Sequence, residues 1–131
     1  MRNFLSMIAI ISSLVTASYA DEYIGTYYAR LGKADHYNSR GVRLRSVAAI
    51  IRQDRFNFHI RHIRDEEDTY DSFFDSKSNR ATLERMIRSG YISWSAREEI
   101  IDDYPLIKVV VYRRHVNIYL ANREGPRSVI R

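Results

Sequence analysis

His59 and His62 stand three residues apart in the run QDRFNFHIRHIRDEED (Gln53 to Asp68). On a helix that spacing puts both imidazoles on one face, as a shared metal ion requires, and Asp65 or Glu66 could add an oxygen ligand. Arg55, Arg61 and Arg64 crowd the same stretch, and their charge opposes a bound cation. The balance favours no metal site and no cofactor, with His59 and His62 as the pair to test.

Asp54 poses a sharper question. On a helix through this stretch it shares the apolar side with Val47, Ile50 and Phe58, and no base lies three or four positions away. A carboxylate placed there must find a tertiary partner or keep its proton. An arginine from outside the helix is expected, Arg43 and Arg45 being the nearest. An ion pair locking helix to sheet is the main expectation, and a catalytic carboxylate the alternative.

The stretch DHYNSRG (Asp35 to Gly41) gathers further polar groups. His36, Asp54 and His59 together could serve as the acid–base set of a small hydrolase, provided that they converge on one cleft. Against this, Asp35 and His36 are adjacent, so their side chains diverge in an extended chain, and Ser39 lacks the glycines of a nucleophile elbow. Asn38 and Ser39 suit hydrogen-bonded turns. As binding residues the sequence offers Asn38, Arg43 and Arg55, with Arg113 and Arg114 further along.

Charge narrows the function classes. Arg40 to Arg64 holds seven arginines and one acid, and Asp65 to Asp75 holds six acids and no base. An acidic loop folded near an arginine-rich helix is the expected result. Nucleic acid, which selects an uncompensated basic face, is disfavoured. The region from Lys77 to Arg131 keeps eleven bases against six acids, so Arg113, Arg114, Arg123 and Arg127 could engage an anionic envelope polymer. No glycine-rich phosphate loop is present, and the histidines lack the hairpin-then-helix setting of a metal-dependent nuclease.

The elements that would position these groups follow from periodicity. Tyr23 to Leu31 alternates as a strand, with Tyr23, Tyr27, Ala29 and Leu31 on one side and Thr26 and Arg30 on the other. Gly32 to Gly41 is turn material. A helix is expected from Ser46, its N-cap, to His62. One stripe holds Val47, Ile50, Ile51 and Phe58, and a second holds Phe56, Ile60 and Ile63, so the helix should be covered on two sides. Phe56, Phe58 and Ile60 also alternate, which makes a strand over 56–62 the rival. Phe73 and Phe74 should pin the acidic loop. Leu83, Met86 and Ile87 mark a helix stopped by Gly90, and Ser95 with Glu98 has capping-box spacing, Ser93 being the rival cap. Leu106 to Tyr112 and His115 to Ala121 read as an antiparallel hairpin. The resulting class is α+β: a small single domain with a three- or four-stranded antiparallel sheet, made of the N-terminal strand and the C-terminal hairpin, and two or three helices on one face.

Residues 1–20 have the layout of a secretory signal peptide: Arg2, the apolar run Phe4 to Val15, then small residues at Ser18 and Ala20. The folded domain would be 21–131, with no membrane span once the signal is cleaved. The chain has no cysteine, which excludes disulfides, zinc–thiolate sites and a thiol nucleophile. An exported domain without disulfides fits the bacterial periplasm or envelope better than other secreted settings. The leading expectation is a periplasmic or secreted, non-catalytic binding or accessory domain, an inhibitor or adaptor acting on a protein or envelope component. The alternatives are the hydrolase and the polymer binder.

Overall fold

The sheet forms where apolar residues alternate. In the computed structural model, which describes residues 20–121, β1 (Tyr23–Arg30), β2 (Leu106–Tyr112) and β3 (Val116–Leu120) lie in the order β1-β2-β3, both pairs antiparallel. Tyr27 faces Val109 across the first ladder, and Val109 faces Ile118 across the second. Because side chains alternate across a strand, Tyr27, Ala29, Ile107, Val109, Val111, Val116, Ile118 and Leu120 all reach one face and are buried there. The hairpin closes over residues 113–115, with Tyr112 N–H donating to the His115 carbonyl at 2.9 Å.

Among the described residues, four α-helices supply the other layer of the core. Helix α1 (Val47–Phe56) starts at Ser46, whose hydroxyl accepts from Ala49 N–H at 3.2 Å. Its course continues as a π-helical segment over Asn57–Arg61. His62 ends it in the left-handed conformation at φ 56°, and Ile63 N–H reaches back to the Asn57 carbonyl. The stretch 56–62 is therefore helical, not a strand. The second stripe departs from expectation: Ile60 stays 49% exposed, Ile63 is also exposed, and Phe56 is half-buried. A π turn holds an extra residue, which shifts the phase of everything beyond it. Asn57 turns inward instead, beside Phe58, which is buried as its place in the first stripe predicts.

Helices α2 (Lys77–Ala81) and α3 (Leu83–Arg88) divide the expected single helix at Thr82, whose hydroxyl donates to the Asn79 carbonyl. Leu83, Met86 and Ile87 enter the core. Gly90 does more than stop α3: a Cβ there would lie 1.8 Å from the Val116 carbonyl oxygen, so the chain passes against β3 where no side chain fits. Helix α4 (Trp94–Asp102) is capped by Ser93, which accepts from Ala96 N–H at 3.1 Å, and not by Ser95.

The acidic loop settles on the outer edge of β1 more than on the arginines of α1. Thr69 N–H donates to the Tyr28 carbonyl, the Thr69 hydroxyl accepts from Tyr28 N–H, and Asp68 accepts from Arg30 N–H. Glu67 pairs with Arg30. At the opposite edge, Ile118 N–H donates to the Tyr91 carbonyl and Ile92 bridges Ile118 in parallel. No helix among the described residues is long and apolar enough to cross a membrane.

Candidate functional site

Asp54 and Arg55 are both buried because α1 is covered along the sheet and again by the chain around Asp71. Asp54 is 2% exposed and accepts from Arg55 Nε at 2.8 Å. Its partner is thus the next residue on the same helix, not Arg43 or Arg45. Neighbouring helical positions do not ordinarily face each other, but the long arginine side chain can fold back across the turn. Arg55 Nη1 donates to Asp71 Oδ2 at 2.7 Å, and His59 Nε2 lies 2.9 Å from that same oxygen. Asp71 Oδ1 accepts from the N–H groups of Phe73 and Phe74. The guanidinium carbon sits 4.0 Å from the Tyr27 ring centroid and 4.6 Å from that of Phe58.

Electrostatics follow from this enclosure. Burial pushes the Asp54 carboxyl up to about 8 against the pull of Arg55. For Arg55, burial opposes the charge, but the neighbouring carboxyl groups of Asp54 and Asp71 outweigh it and raise the guanidinium further. Burial raises Asp35 as well, opposed by hydrogen bonds from the Asn57 side chain and Gly32 N–H. The cluster is a buried polar network centred on Arg55, in which Arg55 Nη2 and the Tyr27 hydroxyl are enclosed without a hydrogen-bond partner among the described residues.

His36 belongs to a different structure. It is fully buried, with Nδ1 2.7 Å from the Gly32 carbonyl and Nε2 2.7 Å from the Ile100 carbonyl. Arg43 donates to the Ile101 carbonyl beside it and to the His36 carbonyl. Together the two side chains close the C-terminus of α4, where the last carbonyls have no partner within the helix.

The remaining sequence candidates are placed as follows. Asn38 Oδ1 accepts from Arg40 and Val42 N–H, which forms the turn through Gly41 at φ 75°. Arg55 has no exposed surface with which to bind a partner. Arg113 pairs with Glu22 at 2.8 Å, and Arg114 Nε lies 3.6 Å from Asp21 Oδ1, so each hairpin arginine has a local acid beside it. Arg123 and Arg127 lie outside the described residues. His62 is exposed and points to Arg64 while His59 turns inward to Asp71, so the two do not form a pair. The hydrolase set is likewise divided. His59 and Asp54 meet only through Arg55 and Asp71, and His36 bonds to backbone carbonyls elsewhere.

Sequence reasoning missed Asp71, Asn57 and Arg80. Asp71 followed by Ser72 and Phe73 has the spacing of an Asx-turn, a signal that could have marked it as a fixed carboxylate. Asn57 had no such signal, because its bond to Asp35 spans 22 residues. Arg80 lies in a groove of about 660 Å³ between α1 and α2 that no motif announces. Leu44, Ala49, Phe56 and Ile60 contribute its apolar lining, and Arg52, Lys77 and Arg80 its cations. Comparison of the chain with protein-family models, curated proteins and solved structures returned no match.

Proposed function

We propose that this protein is an exported, non-catalytic binding domain of the cell envelope. One observation carries the reading. His36, Asp54 and His59 are engaged inside the fold, whereas the groove beside α1 keeps an apolar lining and two cations, Arg52 and Lys77, with no ion-pair partner among the described residues. Pockets that hold small ligands combine an apolar surface with a few polar groups, in the size range of this groove. The apolar run at residues 4–15 supports export, and the lack of cysteine favours the periplasm over other secreted settings.

Expression with the native leader tests the export half: the mature protein recovered from the envelope fraction should begin at Asp21, and retention of Met1 in the cytoplasm would overturn it. The binding half is tested by thermal unfolding against separated envelope fractions of lipid, glycan and peptide. Saturable stabilisation by one fraction is expected. Turnover of an ester, phosphoester or peptide substrate that is lost in His59→Ala would favour the hydrolase instead.

A further inference from the structure

Arg80 is 7% exposed, yet only part of its guanidinium is engaged. Nη1 donates to the carbonyls of Phe74 and Asp75 at 2.9 and 2.8 Å, which pins the group. Nε and Nη2 have no partner among the described residues and are not sealed from the groove. The guanidinium carbon lies 5.9 Å from the Phe56 ring centroid, so a held cation adjoins an apolar surface. Arg52 and Lys77 line the same groove, are exposed, and have no ion-pair partner among the described residues. Asp75 is the one acid in the lining. Phe56 and Ile60 are the stripe that the π turn leaves without a covering element.

From this juxtaposition we infer that the groove binds a small amphiphilic carboxylate, with its head at Arg80, Arg52 and Lys77 and its apolar body along Phe56, Ile60 and Leu44. A fixed arginine fork matches a carboxylate better than a hydroxyl or an ammonium group, and the exposed cations add attraction without geometric demand. The apolar lining alone would accept any alkyl chain, so selection among chains must come from the head.

The inference rests on the binding reading, and the experiment separates the two. Purified protein is titrated at submicellar concentration with dodecanoate, dodecanol and dodecyltrimethylammonium, and backbone amide shifts locate each site. Dodecanoate should bind about tenfold more tightly than dodecanol, the factor expected of one net charge-assisted interaction, and the ammonium should bind least. Shifts should centre on residues 52–60 and 77–80. Arg80→Met should remove the preference. Because that change also frees two carbonyls, Arg52→Gln with Lys77→Gln provides a second test on exposed positions, with an expected loss of about tenfold for dodecanoate and little for dodecanol. Equal affinity for all three probes, shifts elsewhere, or an affinity unchanged in the double variant would overturn the inference. If a glycan or peptide fraction stabilises the protein while dodecanoate does not bind, the binding reading stands and this one falls.

Discussion

Burial keeps on Asp54 a proton that the unfolded chain would release. Its pKa rises from 3.8 to about 8 in the folded protein, so the native state holds more protons than the unfolded state between those values. Stability is therefore full below about pH 4 on account of this residue and falls as pH rises towards 8, by an amount on the order of a few kcal/mol. Asp35 is shifted in the same direction and adds a slope of the same sign. Asp54→Asn keeps an acceptor for Arg55 Nε but cannot ionise. Urea unfolding at pH 5 and pH 8 should show a smaller loss in the variant than in the parent, and parallel slopes would disprove the assignment. Removing the cation has the opposite character. Arg55→Met should destabilise by about 3–5 kcal/mol at neutral pH, because Asp71 loses its buried counter-ion, and denaturant melts would measure the loss. Little of this cluster was legible in advance. Helical phase showed that Asp54 faces inward, but it carries no information on how far a guanidinium folds back, nor on which distant carboxylate joins it.

At the scale of elements, strands and helices followed from periodicity where burial is one-sided. The alternation of Ile107, Val109 and Val111 and the pairing of Leu83, Met86 and Ile87 both held because one face of each element meets the core. Ends and interruptions were harder to read. Ser93 and Ser95 offer the same hydroxyl two residues apart, and the choice rests on the turn entering α4. Ser93→Ala should cost about 1 kcal/mol and Ser95→Ala only a few tenths, measured by thermal unfolding; equal losses would contradict the observed cap. The π turn in α1 also lacked a sequence signature. A straight helix would have aligned Phe56, Ile60 and Ile63 as one ridge, whereas the widened turn breaks the alignment and leaves Ile60 facing the groove.

At the scale of the whole molecule, the connection after α3 passes directly against β3 at Gly90. Alanine there would drive its Cβ into the backbone of Val116, and a backbone carbonyl cannot swing aside as a side chain can. Gly90→Ala should destabilise by about 1–3 kcal/mol, the range of overpacking. The loss should appear in equilibrium unfolding, accompanied by amide shifts along β3, and a neutral outcome would refute the close approach. Sequence gave the α+β class because element type and order are local properties, but the separation between layers is a tertiary quantity. The acidic loop shows the same divide. Its charge suggested the arginines of α1, but hydrogen bonding to β1 decides its place, and the helix is met by Asp71, paired with Arg55 and His59, and by the Tyr70 ring against Phe58 and His59.

That loop and the segment at Tyr91 and Ile92 have a consequence for association. A strand with open N–H and C=O groups is a template on which a peptide, or another copy of the protein, can build a further strand. Here residues 68–69 occupy β1 at Tyr28 and Arg30, and residues 91–92 occupy β3 at Ile118. Over those stretches the sheet offers no register to extend. Recognition there must rely on side chains, and crowding should not draw the molecules into ribbons joined through them.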